Sequence, residues 1–231
     1  MAFLDGVRAA WTSVFSLVLI GSYVGIGALA HDFGFSLGWL AASTVLVWAA
    51  PAQVILVSTL GAGAALIEVA LAIGLSAVRL MPMVVALLPL VRGPATRTRD
   101  LVLPAHFTAI SMWIESLRIL PTVPREQRVP FCNGIGVGFM CAAEIGGVLG
   151  FFLAGRLPGL LTAGLLFLTP MSFLVSTTRN SRQLVDRLAL CFGLVLGPLL
   201  AWLGLGLDLM WTGIVGGSVA YGLHRLREAW R

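Results

Sequence analysis

Long apolar stretches separated by short polar ones run the length of the chain. A helix needs about twenty mainly apolar residues to cross a bilayer. Stretches of that kind fall at about 9–30, 36–59, 63–90, 129–153, 160–178, 188–204 and 208–224. They predict an all-α, polytopic transmembrane helix bundle of about seven spans. An eighth stretch, 101–120, carries Pro104, His106, Glu115 and Arg118, and a free spanning helix would have to bury most of that charge in lipid. Its Met112-Trp113-Ile114 face suits an interfacial or re-entrant segment instead, with eight spans as the alternative. Arg8, the apolar stretch from Trp11 and Ala28-Leu29-Ala30 imitate a secretory leader. The stretch is longer than the apolar core of a leader, however, and reads as the first membrane helix.

Composition supports the membrane reading. Of 231 residues 58% are hydrophobic and 11% charged, and the mean hydropathy is +0.97. An ordinary soluble domain is about 25% charged, so a soluble enzyme, a nucleic-acid binder and a disulfide scaffold are all excluded. The net charge of +5 comes from fifteen basic residues, every one an arginine. Twelve of these lie in three patches: Arg92, Arg97, Arg99, Arg118, Arg125 and Arg128; Arg179, Arg182 and Arg187; and Arg225, Arg227 and Arg231. Short basic loops favour the cytoplasmic side. Two spans separate each patch from the next, provided 101–120 does not cross. The pattern then predicts seven spans with the N-terminus outside and the C-terminus inside. With no lysine, a P-loop ATPase is ruled out. Cys132, Cys141 and Cys191 are isolated within apolar runs and read as packing residues, not as disulfide or metal ligands. No enzyme signature, cofactor site or metal site is expected.

Two prolines interrupt apolar runs, in Trp48-Ala49-Ala50-Pro51-Ala52-Gln53 and in Phe167-Leu168-Thr169-Pro170-Met171-Ser172. Laying the second half of the chain over the first matches Pro51 with Pro170 and Ile26-Gly27 with Ile145-Gly146. A proline inside a helix frees backbone carbonyls, which in lipid must find protein or water partners. Broken helices at corresponding places in two halves point to a transporter's midplane site. The expected organisation is one transporter domain over 1–231, with repeat 1 at about 9–90, an interfacial or re-entrant segment at about 91–128, repeat 2 at about 129–204 and a final helix at about 208–224. In the seven-span arrangement the repeats are inverted. Two ordinary proline kinks are the plainer alternative.

Arg79 lies near the centre of 63–90, where an unpaired arginine costs at least about 2.5–3.5 kcal/mol. It is expected to face the bundle interior, against a carboxylate, freed carbonyls or an anionic substrate group. Glu144, among small residues from Gly138 to Gly147, is its natural opposite number. In one reading Arg79 holds a substrate carboxylate while Glu144 binds an ammonium group or carries a proton; in the other they form a buried pair that fixes packing. Gln53 offers an amide at the Pro51 break, and Pro51, Pro170 and Ser172 complete the candidate substrate site. Glu68, near a span end, reads as an interfacial group.

These segments resemble the AzlC family of branched-chain amino acid permeases. Gly25-Ile26-Gly27-Ala28-Leu29-Ala30 through Asp32-Phe33-Gly34-Phe35-Ser36 is similar to the family's opening block, and Ala49-Ala50-Pro51-Ala52-Gln53 to its Gly-Ala-Ser-Gln element. Val78-Arg79 is similar to its Asn-x-Arg-His element, Gly134 through Gly150 to its glycine-punctuated helix, and Leu166-Phe167-Leu168 to a later apolar helix. The chain departs from the family at Ala77, Leu80, Ala52, Ala105, His106 and Ala143. The resemblance implies a multi-pass protein of the bacterial inner membrane that exports branched-chain or other small hydrophobic amino acids with a small AzlD-type membrane subunit. A non-transporting scaffold or sensor subunit, a carrier of a different small zwitterion or carboxylate, and an intramembrane enzyme are the competing readings.

Overall fold

A glycine-rich helix can bring its backbone against a neighbour closely enough for the main chains to touch, and this contact organises the N-terminal part of the protein. The computed structural model describes residues 1–154, 184–203 and 208–229, with scattered positions between 156 and 178. Every regular element among them is helical, as expected. The chain divides into two units, Met1–Pro170 and Met171–Arg231.

The run expected at 9–30 forms two helices, α1 (Ala2–Thr12) and α2 (Val14–Asp32). They meet at an extended Ser13, whose hydroxyl accepts from the Phe15 amide at 3.3 Å and so caps α2. Both pack against a single long helix at Arg128–Leu153. A Cβ added at Gly134 would land on the Phe3 carbonyl oxygen, one at Gly146 on that of Ile20, and one at Gly150 on that of Val24. Residue numbers rise together along this seam, so α1 and α2 run parallel to the long helix. His31 and Phe151, with ring centroids 5.2 Å apart, close its far end. The inverted relation expected between 9–30 and 129–153 is therefore absent.

The cause lies in the 36–59 stretch, which does not cross. It forms α3 (Leu37–Leu46) and α4 (Ala50–Gly61). Pro51 occupies the first turn of α4, where its missing N–H removes no hydrogen bond, so it starts a new helix and does not kink an old one. The chain enters beside the end of α2, reverses at 47–49 and returns until Gly61 lies under the Phe33 ring. Gly34 (φ 75°) and Gly63 (φ 80°) make the turns at that end.

The return crossing is α5 (Leu66–Val78) followed by α6 (Met81–Val91), bent by 50° at Arg79–Leu80. It ends beside the start of the long helix, where Arg128 Nη1 donates to the Leu90 carbonyl at 2.8 Å. From there a 3-10 turn (Thr98–Leu101) leads into α7 (Val102–Phe107) and α8 (Ile110–Ile119). Phe107 packs on Gly136 of the long helix, now α9, and Ser116 lies against Cys132, nearer the start of α9. Residues 101–120 thus form two short helices with a break at 108–109 and no single helix long enough to span.

Two helices of this unit, α2 and α9, are long and apolar enough to span, and the bent α5–α6 pair counts as a third candidate if it is taken as one broken span. The apolar pattern predicts four crossings before residue 154; the described residues offer two or three candidates. One crossing between α2 and α9, where two were expected, leaves them parallel. It also puts the start of α1 at the same end as Arg92 to Arg128, so the positive-inside rule now places that end inside and not outside.

In the second unit α10 (Leu184–Leu203) and α11 (Asp208–Ala229) pack as an antiparallel pair, with Gly216 against Phe192 and Leu196, and Gly197 near Thr212. The stretches expected at 188–204 and 208–224 fall on them. Pro170 and Ser172 lie outside the described residues, and of the 160–178 half of the repeat only scattered positions are described.

The seam makes a direct prediction. Gly150→Ala forces a methyl onto the Val24 carbonyl and should cost about 1–3 kcal/mol, read as a lower unfolding midpoint in detergent. Gly74→Ala, where nothing lies within 4 Å of an added Cβ, should leave the midpoint unchanged or raised.

Candidate functional site

The two re-entrant segments come from opposite ends and meet tip to tip. At the tip of α3–α4 the Trp48 Nε1–H donates to the Phe107 carbonyl at 2.8 Å. His106 Nε2 lies 2.9 Å from the Val45 carbonyl; a carbonyl only accepts, so the ring nitrogen must carry the hydrogen. Carbonyls and ring N–H groups released where the helices stop thus satisfy one another across the junction, as a low-dielectric interior requires.

Beside this junction lies a buried polar cluster. The Ser43 and Thr44 hydroxyls both donate to the Leu40 carbonyl, at 2.8 and 3.0 Å. Their oxygens in turn accept from Gln53 Nε2, at 2.9 and 2.8 Å. Because both hydroxyl hydrogens are committed to Leu40, the glutamine must present its NH2 group to them, and this fixes the amide orientation. Gln53 is 0% exposed, and its Oε1 has no partner among the described residues. A buried acceptor left unmade costs about 1–3 kcal/mol. Pro51 and Gln53 both sit in the first turn of α4, as their expected place at a break requires.

Arg79 closes α5 at the α5–α6 bend. Helix α5, 13 residues long, runs back along α4, 12 residues long. At 1.5 Å per residue both cover about 18–20 Å, so the bend falls at the depth of the hairpin tips. Three chain breaks, at 47–49, 79–80 and 108–109, share that depth. The apolar pattern missed the third break within 63–90, although Pro82, in the first turn of α6, marks it.

Arg79 keeps much of its surface exposed while its neighbours shield part of the side chain. It makes no ion pair with Glu144 or any other described residue. The buried-pair reading is therefore not what this structure contains. Helix α5 packs on α4, and α6 packs on α8 and touches α7 and α9; Glu144, half-buried on α9, comes within electrostatic reach of the buried Tyr23 of α2. Its Oε1 is buried and also without a partner. Glu115, itself buried, is held by its own helix through Arg118 Nη2 at 2.5 Å. The Glu68 carboxylate accepts from the Ala65 amide at 3.3 Å, a helix cap at a span end.

A family model described as AzlC protein matches residues 14–157. The chain belongs to the AzlC family. The match runs from the start of α2 to the end of α9 and so contains every residue of the junction. Searches of curated proteins and of solved structures returned no match. AzlC proteins are membrane proteins with a transport-related role, and in this AzlC chain buried polar groups lie at helix breaks. Sequence reasoning did not find Ser43, Thr44, Trp48 and Phe107. The available signal was a Ser-Thr pair ahead of the Trp-Ala-Ala-Pro break, but only the fold shows that they face Gln53 and each other.

The meeting of the tips is open to a direct check. With Cys132, Cys141 and Cys191 replaced, cysteines introduced at Val45 and His106 should be joined by a short bismaleimide linker in intact membranes. Cysteines at Val45 and Leu66 should remain unjoined.

Proposed function

We propose that this AzlC-family protein is a secondary transporter that exports branched-chain or other small hydrophobic amino acids across the bacterial inner membrane, assisted by a small AzlD-type subunit and using no cofactor. The observation that carries this reading is the fully buried Gln53 at a helix break, its Oε1 unpartnered, at the same depth as two further breaks. A packed scaffold gains nothing from a stranded amide oxygen, whereas a carrier needs polar groups waiting for a ligand. Arg79, exposed at the third break, supplies the positive charge that draws a carboxylate to this depth. Glu144 is assigned to the proton or to the ammonium group during exchange. Apolar side chains at the breaks, Val45, Leu46, Val47, Met81 and Ile110, suit an aliphatic substrate.

Apolar walls discriminate a single methylene by only about 1–3 kcal/mol, so Leu, Ile and Val should leave at rates within about a hundredfold of one another. The test is amino-acid efflux from cells loaded with Leu- and Val-containing dipeptides, with and without the small subunit. Wild type should export faster than empty vector, and Arg79→Ala and Gln53→Leu should fall to the vector rate at equal membrane abundance. If wild type matches the vector under every condition while remaining folded, the reading fails.

A further inference from the structure

Helices α4 and α8 are 12 and 10 residues long, and both begin at the tip junction. They run apart from it, α4 towards Gly61 at the far end of α9 and α8 towards Ile119 near its start. In this unit Ser13 caps α2, Ser36 caps α3 and Glu68 caps α5, while α1, α6, α7 and α9, like α4 and α8, have no side-chain cap. The N-caps of α4 and α8 are alanines, Ala49 and Ala109, which offer no side-chain acceptor. The first-turn N–H groups of Ala50, Ala52, Ile110, Ser111 and Met112 find no acceptor among the described residues. Ala52 and Met112 are 2% and 0% exposed, so water does not readily replace one.

Each helix N-terminus carries roughly half a unit of positive charge, and two at one junction favour an anion with about a full unit. Gln53 adds an independent feature. Helical side chains lean towards the N-terminus of their helix, so this fully buried first-turn residue leans towards the junction. Its Nε2 is held by Ser43 and Thr44, which leaves Oε1 as a buried acceptor with no partner in the same first turn as the free N–H groups of α4. Donors suited to a carboxylate next to an acceptor suited to an ammonium group match the two adjacent charged groups of a free α-amino acid.

We propose that the junction of the α4 and α8 N-termini is the resting site of the substrate's headgroup, with the backbone N–H groups of Ala52, Ile110, Ser111 and Met112 holding the carboxylate and Gln53 Oε1 taking the ammonium. This rests on the transporter reading and refines it: Arg79 draws the anion in, and uncharged backbone groups hold it. The chemistry selects free α-amino acids over amines, over fatty acids and over peptides, whose two charged ends lie too far apart.

The test reads binding and flux separately. Purified protein in nanodiscs is titrated with L-leucine, with isopentylamine, which lacks the carboxylate, and with 4-methylpentanoate, which lacks the amine. Both analogues should bind at least about tenfold more weakly than leucine, one charge-assisted hydrogen-bonded group each. Ile110→Pro deletes one N–H at a first-turn position that accepts proline, behind an Ala109 already extended as proline prefers. Ile110→Ala loses the same side chain but keeps the N–H. Proline should weaken leucine and 4-methylpentanoate about tenfold relative to alanine and leave isopentylamine unchanged. Gln53→Leu should weaken leucine and isopentylamine but not 4-methylpentanoate. Unfolding midpoints without ligand identify any variant that fails to fold, and Gly74→Ala, outside the proposed site and with nothing within 4 Å of the added Cβ, should bind leucine as wild type does. Equal leucine binding by the Ile110→Pro and Ile110→Ala variants, or 4-methylpentanoate binding as tight as leucine, overturns the site even if efflux persists. Intact binding without efflux upholds the site and overturns the transporter reading alone.

Discussion

The first unit depends on α9 lying backbone to backbone against α1 and α2. Gly134, Gly146 and Gly150 on one side and Gly6 and Gly27 on the other leave no room for a Cβ. In lipid there is no hydrophobic force between helices, so close main-chain packing has to hold them. That seam fixes α2 and α9 as parallel partners. A parallel pair leaves an odd number of crossings between its members, and this is met by one bent crossing, α5–α6, and two hairpins that enter and return.

Each broken helix exposes main-chain groups to an environment that cannot hydrate them. The structure offsets much of that cost by bringing the breaks to one depth, where they satisfy one another. Trp48 reaches the Phe107 carbonyl, His106 the Val45 carbonyl, and Gln53 the Ser43 and Thr44 hydroxyls. At the junction one amide oxygen and the first-turn N–H groups of two helices remain unpaired, and away from it further buried atoms, Glu144 Oε1 and Asn133 Oδ1 among them, also lack a partner among the described residues. The interior thus has polar character at the tips without burying an ion pair there, which in a low dielectric would cost more than its attraction returns.

The sequence by itself determined the all-helical membrane character, the break at Pro51 and the family, because each rests on local composition or spacing. An apolar run cut by a proline, or charges too dense for lipid, mean the same thing in any fold. The tertiary structure alone decided direction and partnership. A hairpin that enters the bilayer and returns is as apolar as a helix that crosses it, so the pattern could not separate 36–59 as one span from α3 and α4 as two halves. From that single difference follow the parallel α2 and α9, the end at which α1 begins, and the separation of Arg79 from Glu144. Hydropathy records how much lipid a segment meets; which neighbour it meets, and from which side, is set by the backbone contact that only glycine permits.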